Sequence, residues 1–159
     1  MELEHNHLIQ ALMKKHWLTQ EVLPLLRPKS HADQAGLVER LLDYGLTSQV
    51  IFEAAQDVAS LRGIPPYAEV NLNLIRPPED PKVTGLLMER EMREHFAAPI
   101  FLQGNSLKLA VADPTSERIV DTIKLRSLYD VEVVIAEAEQ FEDYIDRLIL
   151  AENNDASGE

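Results

Sequence analysis

Five prolines, Pro65, Pro66, Pro77, Pro78 and Pro81, crowd one short stretch of the chain. A proline has no backbone N–H, and its ring clashes with the preceding helical turn, so helix is excluded from most of that stretch. The sequence therefore divides there. Residues 1–62 read as a helical subdomain, 63–82 as a proline-rich connector, 83–151 as a second subdomain and 152–159 as a flexible tail or linker. Within the connector, Tyr67 to Ile75 suits a short extended segment lying across the surface, with Val70, Leu72 and Leu74 on one face.

Before the prolines the apolar spacing is helical. Leu8, Ile9, Leu12 and Met13 make one stripe. Thr19 has the character of an N-cap, with Glu21 in the first turn, ahead of Val22, Leu23, Leu25 and Leu26. Pro24 stands near the start of that helix, Pro28 ends it, and a polar loop from Lys29 to Gln34 follows. Leu37, Leu41 and Leu42 make the next stripe, which Gly45 breaks. Thr47 then caps a helix carrying Val50, Ile51, Ala54, Ala55, Val58 and Leu61. Sliding the chain by 28 residues lays Leu18-Thr19 on Leu46-Thr47, Ile9 on Leu37, Met13 on Leu41 and Val22 on Val50. Such self-similarity reads as two helix-turn-helix units, each too small to bury its own stripe alone.

After the prolines the pattern alternates. Val83 to His95 is spaced as a helix, Ala98 to Leu102 as a strand, and Gln103-Gly104-Asn105-Ser106 as a hairpin turn. Leu107, Leu109 and Val111 alternate along a second strand, with Lys108 and Ala110 on its other face. Asp113 then suits an N-cap and Pro114 the first helical position, which makes Asp-Pro-Thr a structural turn into a helix burying Ile119, Val120, Ile123 and Leu128. Asp130 to Ala136 is a third strand. Glu137 to Leu150 is a final helix burying Phe141, Tyr144, Ile145, Leu148 and Ile149. The fold class is α+β: a helical subdomain of two helix-turn-helix repeats, followed by a small α/β sandwich of order α-β-β-α-β-α.

Composition excludes several functions. With no cysteine, thiolate catalysis and cysteine-based zinc sites are absent. A net charge of -12 argues against nucleic acid as a direct partner, and no run is long and apolar enough for direct membrane insertion. The acidic N-terminus is unlike a secretory signal, so a cytoplasmic location is expected. Glu137, Glu139, Glu142, Asp143, Asp146, Glu152, Asp155 and Glu159 crowd the last part of the chain against the single cation Arg147. That run reads as a solvated helix face, or as a docking surface for a basic partner.

No constellation supports catalysis. The glycines never take the spacing that cradles phosphate, and no Gly-Lys-Ser/Thr occurs. His5 and His7 stand two apart, off a common helical face, and His16, His31 and His95 are scattered, so no metal site is expected. Ser106 and Ser116 lie in turn positions where serine serves the backbone. No cofactor and no catalytic residue are assigned. Trp17 is either a core residue or an exposed anchor for a partner.

The second subdomain resembles the N-terminal domain of type II secretion and type IV pilus assembly ATPases. The resemblance rests on an ordered set: His95, Pro99, Gly104, Ala112-Asp113-Pro114, Asp121 to Leu125, Val131 to Ala136, and Tyr144 to Leu148. Leu41, Gly45-Leu46, Ser48, Phe52 and Gly63-Ile64-Pro65 fit the helical repeat that precedes it in many members. The resemblance implies a non-catalytic docking and regulatory domain, peripheral to the inner membrane through a partner. That partner would be the cytoplasmic domain of an inner-membrane platform protein, with the ATPase core supplied in cis or in trans. Trp17, Leu18, Leu23 and Tyr44 are the candidate anchors, each of which core packing would equally explain.

One branch of that family binds cyclic di-GMP through paired motifs carrying an arginine and, two residues on, a glycine. Aligned on Gly45, those positions hold Gly36 and Val38; aligned on Trp17, they hold Leu8 and Gln10. Without arginine there is no cation to stack on guanine or fork to phosphate, and without glycine the backbone is kept from the ligand. Cyclic di-GMP is therefore not expected to bind. The alternative function is a cyclic di-GMP-sensing module of the same fold, or a regulatory domain attached to another effector.

Overall fold

The computed structural model describes residues 3–27 and 36–157, with side chains to residue 151. Pro28 and the polar loop after it lie outside the described residues, as do the last two residues of the expected tail.

In the first part of the chain, local signals set the helix ends. A 3₁₀ turn, Leu3–His5, leads into α1, His7–Lys14. Asn6 caps α1, its side-chain oxygen accepting from the N–H of Leu8 at 2.8 Å and of Ile9 at 3.1 Å. Helix α2, Leu37–Tyr44, ends at Gly45, where φ is 125°. Helix α3, Ser48–Arg62, starts from Thr47, whose hydroxyl accepts from Val50 N–H at 3.2 Å.

The two helical units are not alike. Gln20–Leu26 is a 3₁₀ helix with Pro24 inside it, and Thr19 makes no side-chain cap bond. Pro24 removes an N–H from the middle of so short a segment, and no α-helical ladder forms. So the first unit is an α-helix and a 3₁₀ helix, the second two α-helices.

Three strands make the sheet, in the order β1-β2-β3: β1 Ala97–Gln103, β2 Ser106–Val111 and β3 Asp130–Ile135. β1 and β2 form an antiparallel hairpin from Ala97 opposite Val111 to Gln103 opposite Ser106. The register shifts between Pro99 and Phe101, where a residue without an N–H interrupts the ladder. β3 runs parallel to β2, reached through the crossover helix α6, Glu117–Arg126.

Several expectations are corrected here. The helix expected from Val83 to His95 is two pieces, α4 Pro81–Thr84 and α5 Glu89–His95, with Leu86 and Leu87 buried between them. Helix α6 begins three residues after Pro114, so Asp113 does not cap it. It also ends at Arg126, which leaves Leu128 92% exposed in the loop before β3. The final helix is a 3₁₀ turn, Ala138–Gln140, followed by α7, Phe141–Ser157. Helix thus continues through most of the expected tail, because no proline or glycine interrupts the sequence before Gly158.

The connector is more than a surface strap. Val70 N–H donates to Ile135 O and Ile135 N–H to Ala68 O, both at 2.9 Å, adding a short bridge to the outer edge of β3. Leu72 is fully buried, and the 3₁₀ turn Leu72–Leu74 turns Leu74 outward to 83% exposure. The buried side chains of both parts make one continuous core, from Leu8, Leu12, Leu41 and Ile51 to Leu107, Ile135, Phe141 and Tyr144.

Candidate functional site

The Asp-Pro-Thr turn between β2 and α6 is one of the places where the two parts of the chain meet. Asp113 is buried, and its carboxylate accepts from the Thr115 N–H at 2.8 Å and from the Thr115 hydroxyl. Burial pushes the Asp113 carboxyl above its ordinary value, against the bonds from Thr115 and the nearby charge of Arg40. Asn6, the cap of α1, donates its side-chain amide to the Thr115 oxygen at 3.0 Å. Both carboxylate contacts serve the turn, and Pro114 beside it is buried. Sequence reasoning missed Asn6. An asparagine two residues before an apolar stripe was the available signal.

The four ligand-motif positions have separate surroundings. Leu8 and Val38 are core residues. Gln10 is half-buried and donates its side-chain amide to Glu4 O at 3.2 Å. Gly36 donates its N–H to Glu94 O at 3.3 Å, and a Cβ there would lie 2.9 Å from that oxygen and 3.4 Å from His95 Nδ1. The end of α5 therefore closes on Gly36 and leaves no room for an arginine without displacement. His95, half-buried against that glycine, has its imidazole pushed toward the neutral form by desolvation.

Of the four candidate anchors, the structure divides two from two. Leu18 and Leu23 are buried at 3% and 4% exposure, whereas Trp17 is 48% and Tyr44 41% exposed. Trp17 is held outward by the end of α1. His16 takes a left-handed conformation, φ 67°, and Trp17 N–H closes back on Leu12 O at 2.9 Å. A non-glycine residue in that region is strained. The strain places Trp17 in solvent and Leu18 in the core.

Two arginines hold the sandwich. Arg126, at the end of α6, forks to the Glu91 carboxylate at 2.7 and 3.0 Å and also donates to Leu86 O at 2.8 Å. That ion pair holds the Glu91 carboxyl below its ordinary value. Arg147 on α7 reaches Ile75 O at 2.8 Å, Leu72 O at 2.7 Å and Asp143 at 3.0 Å, and lies 5.4 Å from the centre of the Tyr144 ring. The cation that stood alone in an acidic run thus clamps the connector to the last helix.

Among the described residues no group of three histidine, aspartate or glutamate side chains is placed to hold a metal ion. No described helix is long and apolar enough to cross a membrane.

The fold is thus a three-stranded sheet carrying an antiparallel hairpin and a parallel crossover, backed by helices and preceded by a helical unit. Residues 63–154, more than half of the chain, match the MshEN domain. The chain belongs to that family, the N-terminal domains of type II secretion and type IV pilus assembly ATPases. Its fold is similar to that of the N-terminal domain of XpsE in two crystal forms. One has a TM-score of 0.67 at 23% identity, over 89% of this chain and 92% of that one. The other has a TM-score of 0.60 at 20% identity, over 87% and 92%. A structure of MshE with cdg (cyclic di-GMP) is also similar, with a TM-score of 0.53 at 21% identity, over 91% and 99%. No curated protein matches the sequence.

Proposed function

We propose that this domain docks a secretion or pilus assembly motor onto the cytoplasmic domain of an inner-membrane platform protein, and regulates the motor through that contact. The ATPase core is joined to it in cis or supplied in trans, and the domain is peripheral to the membrane through its partner. The observation that supports docking is Trp17, the only tryptophan, held half in solvent by a strained turn while its neighbour Leu18 is buried. Large aromatic side chains of this kind are the commonest anchors of protein interfaces. Tyr44 is a second exposed aromatic on the same helical part. The division into subdomains 1–62 and 83–151 joined by 63–82 belongs to this reading: the helical part is the docking face and the sandwich transmits the contact.

The test is a titration of the 159-residue chain with the platform protein's cytoplasmic domain, followed by the fluorescence of Trp17. Binding shifts the emission to the blue, and Trp17→Ala weakens association without lowering thermal stability. Absence of association at high micromolar concentration overturns the reading.

A second reading is favoured by the likeness to MshE, whose structure contains cyclic di-GMP. That likeness cuts against the expectation, drawn from Leu8, Gln10, Gly36 and Val38, that this chain does not take the ligand. Calorimetry decides between them: micromolar heat with cyclic di-GMP makes the domain a sensor.

A further inference from the structure

Between the start of α1, the last turn of α3 and the β2–α6 turn lies a cleft of about 450 Å³. His5, His7, Arg62, Ser116 and Arg118 line it, with Glu117 as the one carboxylate of the lining. In a chain of net charge -12, convergence of so many donors on one cleft is not what composition dictates. Most of these donors are uncommitted. Among the described residues, the side chains of His5, His7, Ser116 and Arg118 make no hydrogen bond or ion pair within the protein. Arg62 gives one N–H to the Tyr67 hydroxyl at 2.9 Å and stands 3.8 Å from Glu117, leaving the rest of its guanidinium open.

A second cleft, of about 300 Å³, shares Arg62, Ser116 and Glu117 with the first. Its remaining wall is mixed: Tyr67, Val111, Pro114, Val120 and Val133 supply apolar surface, and Asp113, Asp121 and Lys124 supply polar groups. On one side of Arg62 the pair therefore offers donors, and on the other apolar side chains interspersed with charged ones, the mixture found in small-molecule sites. Arginine donors match the tetrahedral oxygens of phosphate in geometry as well as charge. None of Leu8, Gln10, Gly36 and Val38 lines either cleft, so this is not the degenerate motif under another description.

We propose that the two clefts together bind a small organic phosphate. Arg62, Arg118 and Ser116 hold the phosphate, and the organic part lies against Tyr67 and Val120. Glu117, with Asp113 and Asp121 in the second cleft, opposes the anion and sets a limit on its charge. The inference does not depend on docking to a platform protein.

The test is a titration of the ¹⁵N-labelled 159-residue chain with ADP and, separately, with pyrophosphate, followed by amide chemical shifts. ADP is expected to give saturable shifts at residues 116–118 and at Arg62, and to bind more tightly than pyrophosphate. Arg118→Gln, an exposed side chain without a protein partner, should weaken binding roughly tenfold with an unchanged melting temperature, the loss expected of one charged hydrogen bond. Glu117→Gln should tighten binding. Absence of saturable shifts with either probe overturns the site, as do shifts centred elsewhere or affinities that neither variant changes. Equal affinity for ADP and pyrophosphate overturns the role given to Tyr67 and Val120 in the second cleft.

Discussion

The side-chain amide of Asn6 donates to the Thr115 hydroxyl oxygen at 3.0 Å, across 109 positions of the sequence. The same side chain caps α1 through the N–H groups of Leu8 and Ile9. One residue therefore fixes the start of a helix and ties it to the turn that follows β2. Asn6→Ala should lose about 1–2 kcal/mol, as for other cap removals, in a denaturant titration. Asn6→Asp keeps the accepting oxygen and loses the amide donor, so it should lose less. Equal losses would mean that the bond to Thr115, rather than the cap, carries the effect.

How much of this was legible in advance depended on the range of the signal. Helix α3 was readable at both ends because Thr47 and Gly63 act within a few residues of their own positions. The hairpin and the third strand were readable from alternation and from Gly104-Asn105, whereas the parallel pairing of that strand with β2 was not part of the expectation. The 3₁₀ form of Gln20–Leu26 was not readable either, because the expectation put Pro24 near a helix start. It is the fifth residue of the segment, past the first turn, where its missing N–H removes a ladder bond. Leu128 looked like the last member of an apolar stripe, but α6 stops two residues earlier, and helix ends are the weakest part of any periodicity. At the site, the turn character of Asp113 and Pro114 was local and legible. The partition of Trp17 and Leu18 rested on the left-handed His16, and the use of Arg147 on carbonyls more than seventy residues away. Neither leaves a mark in spacing.

Asp113 makes stability depend on pH in the direction opposite to a salt-bridged carboxylate. Its folded-state pKa is raised, mainly by burial, so the folded chain holds this proton more tightly than the unfolded chain. The contribution favours folding in acid, declines as pH rises from the unfolded value through the folded one, and above both is a standing cost. Asp113→Asn retains an oxygen for the Thr115 N–H and carries no charge. Relative to wild type, the variant should therefore gain stability as pH is raised from acid to neutral, read from thermal midpoints across that range. Parallel profiles for the two proteins would show that the carboxylate is not titrating in the folded turn.

Arg147 holds Leu72 O and Ile75 O with two different guanidinium nitrogens. A lysine has one ammonium and cannot reproduce that fork. Arg147→Lys should cost on the order of 2 kcal/mol, the scale of charged hydrogen bonds to buried acceptors. Hydrogen exchange supplies the more specific readout: amides of Val70 and Ile75 should exchange faster, while those of β2 keep their protection. Uniform acceleration would point to global destabilisation instead of a released connector.

Trp17 and Leu18 are neighbours with opposite duties, and they should answer truncation in opposite ways. Leu18 is 3% exposed in the core, so Leu18→Ala removes packed methyl groups and leaves a cavity, at a cost of about 2–4 kcal/mol. Trp17 is 48% exposed, and Trp17→Ala should leave the unfolding midpoint close to wild type. His16→Gly supplies the control for the turn between α1 and this pair. At φ 67° glycine relieves the strain of a Cβ, and part of that gain is offset by the freer unfolded chain, leaving about 0.5–1 kcal/mol of added stability. If the strain serves only to present Trp17, the His16→Gly protein should be more stable, yet should bind a partner no better than wild type. A Trp17→Ala protein as destabilised as Leu18→Ala would place both side chains in the core and remove the main support for a docking face on this part of the chain.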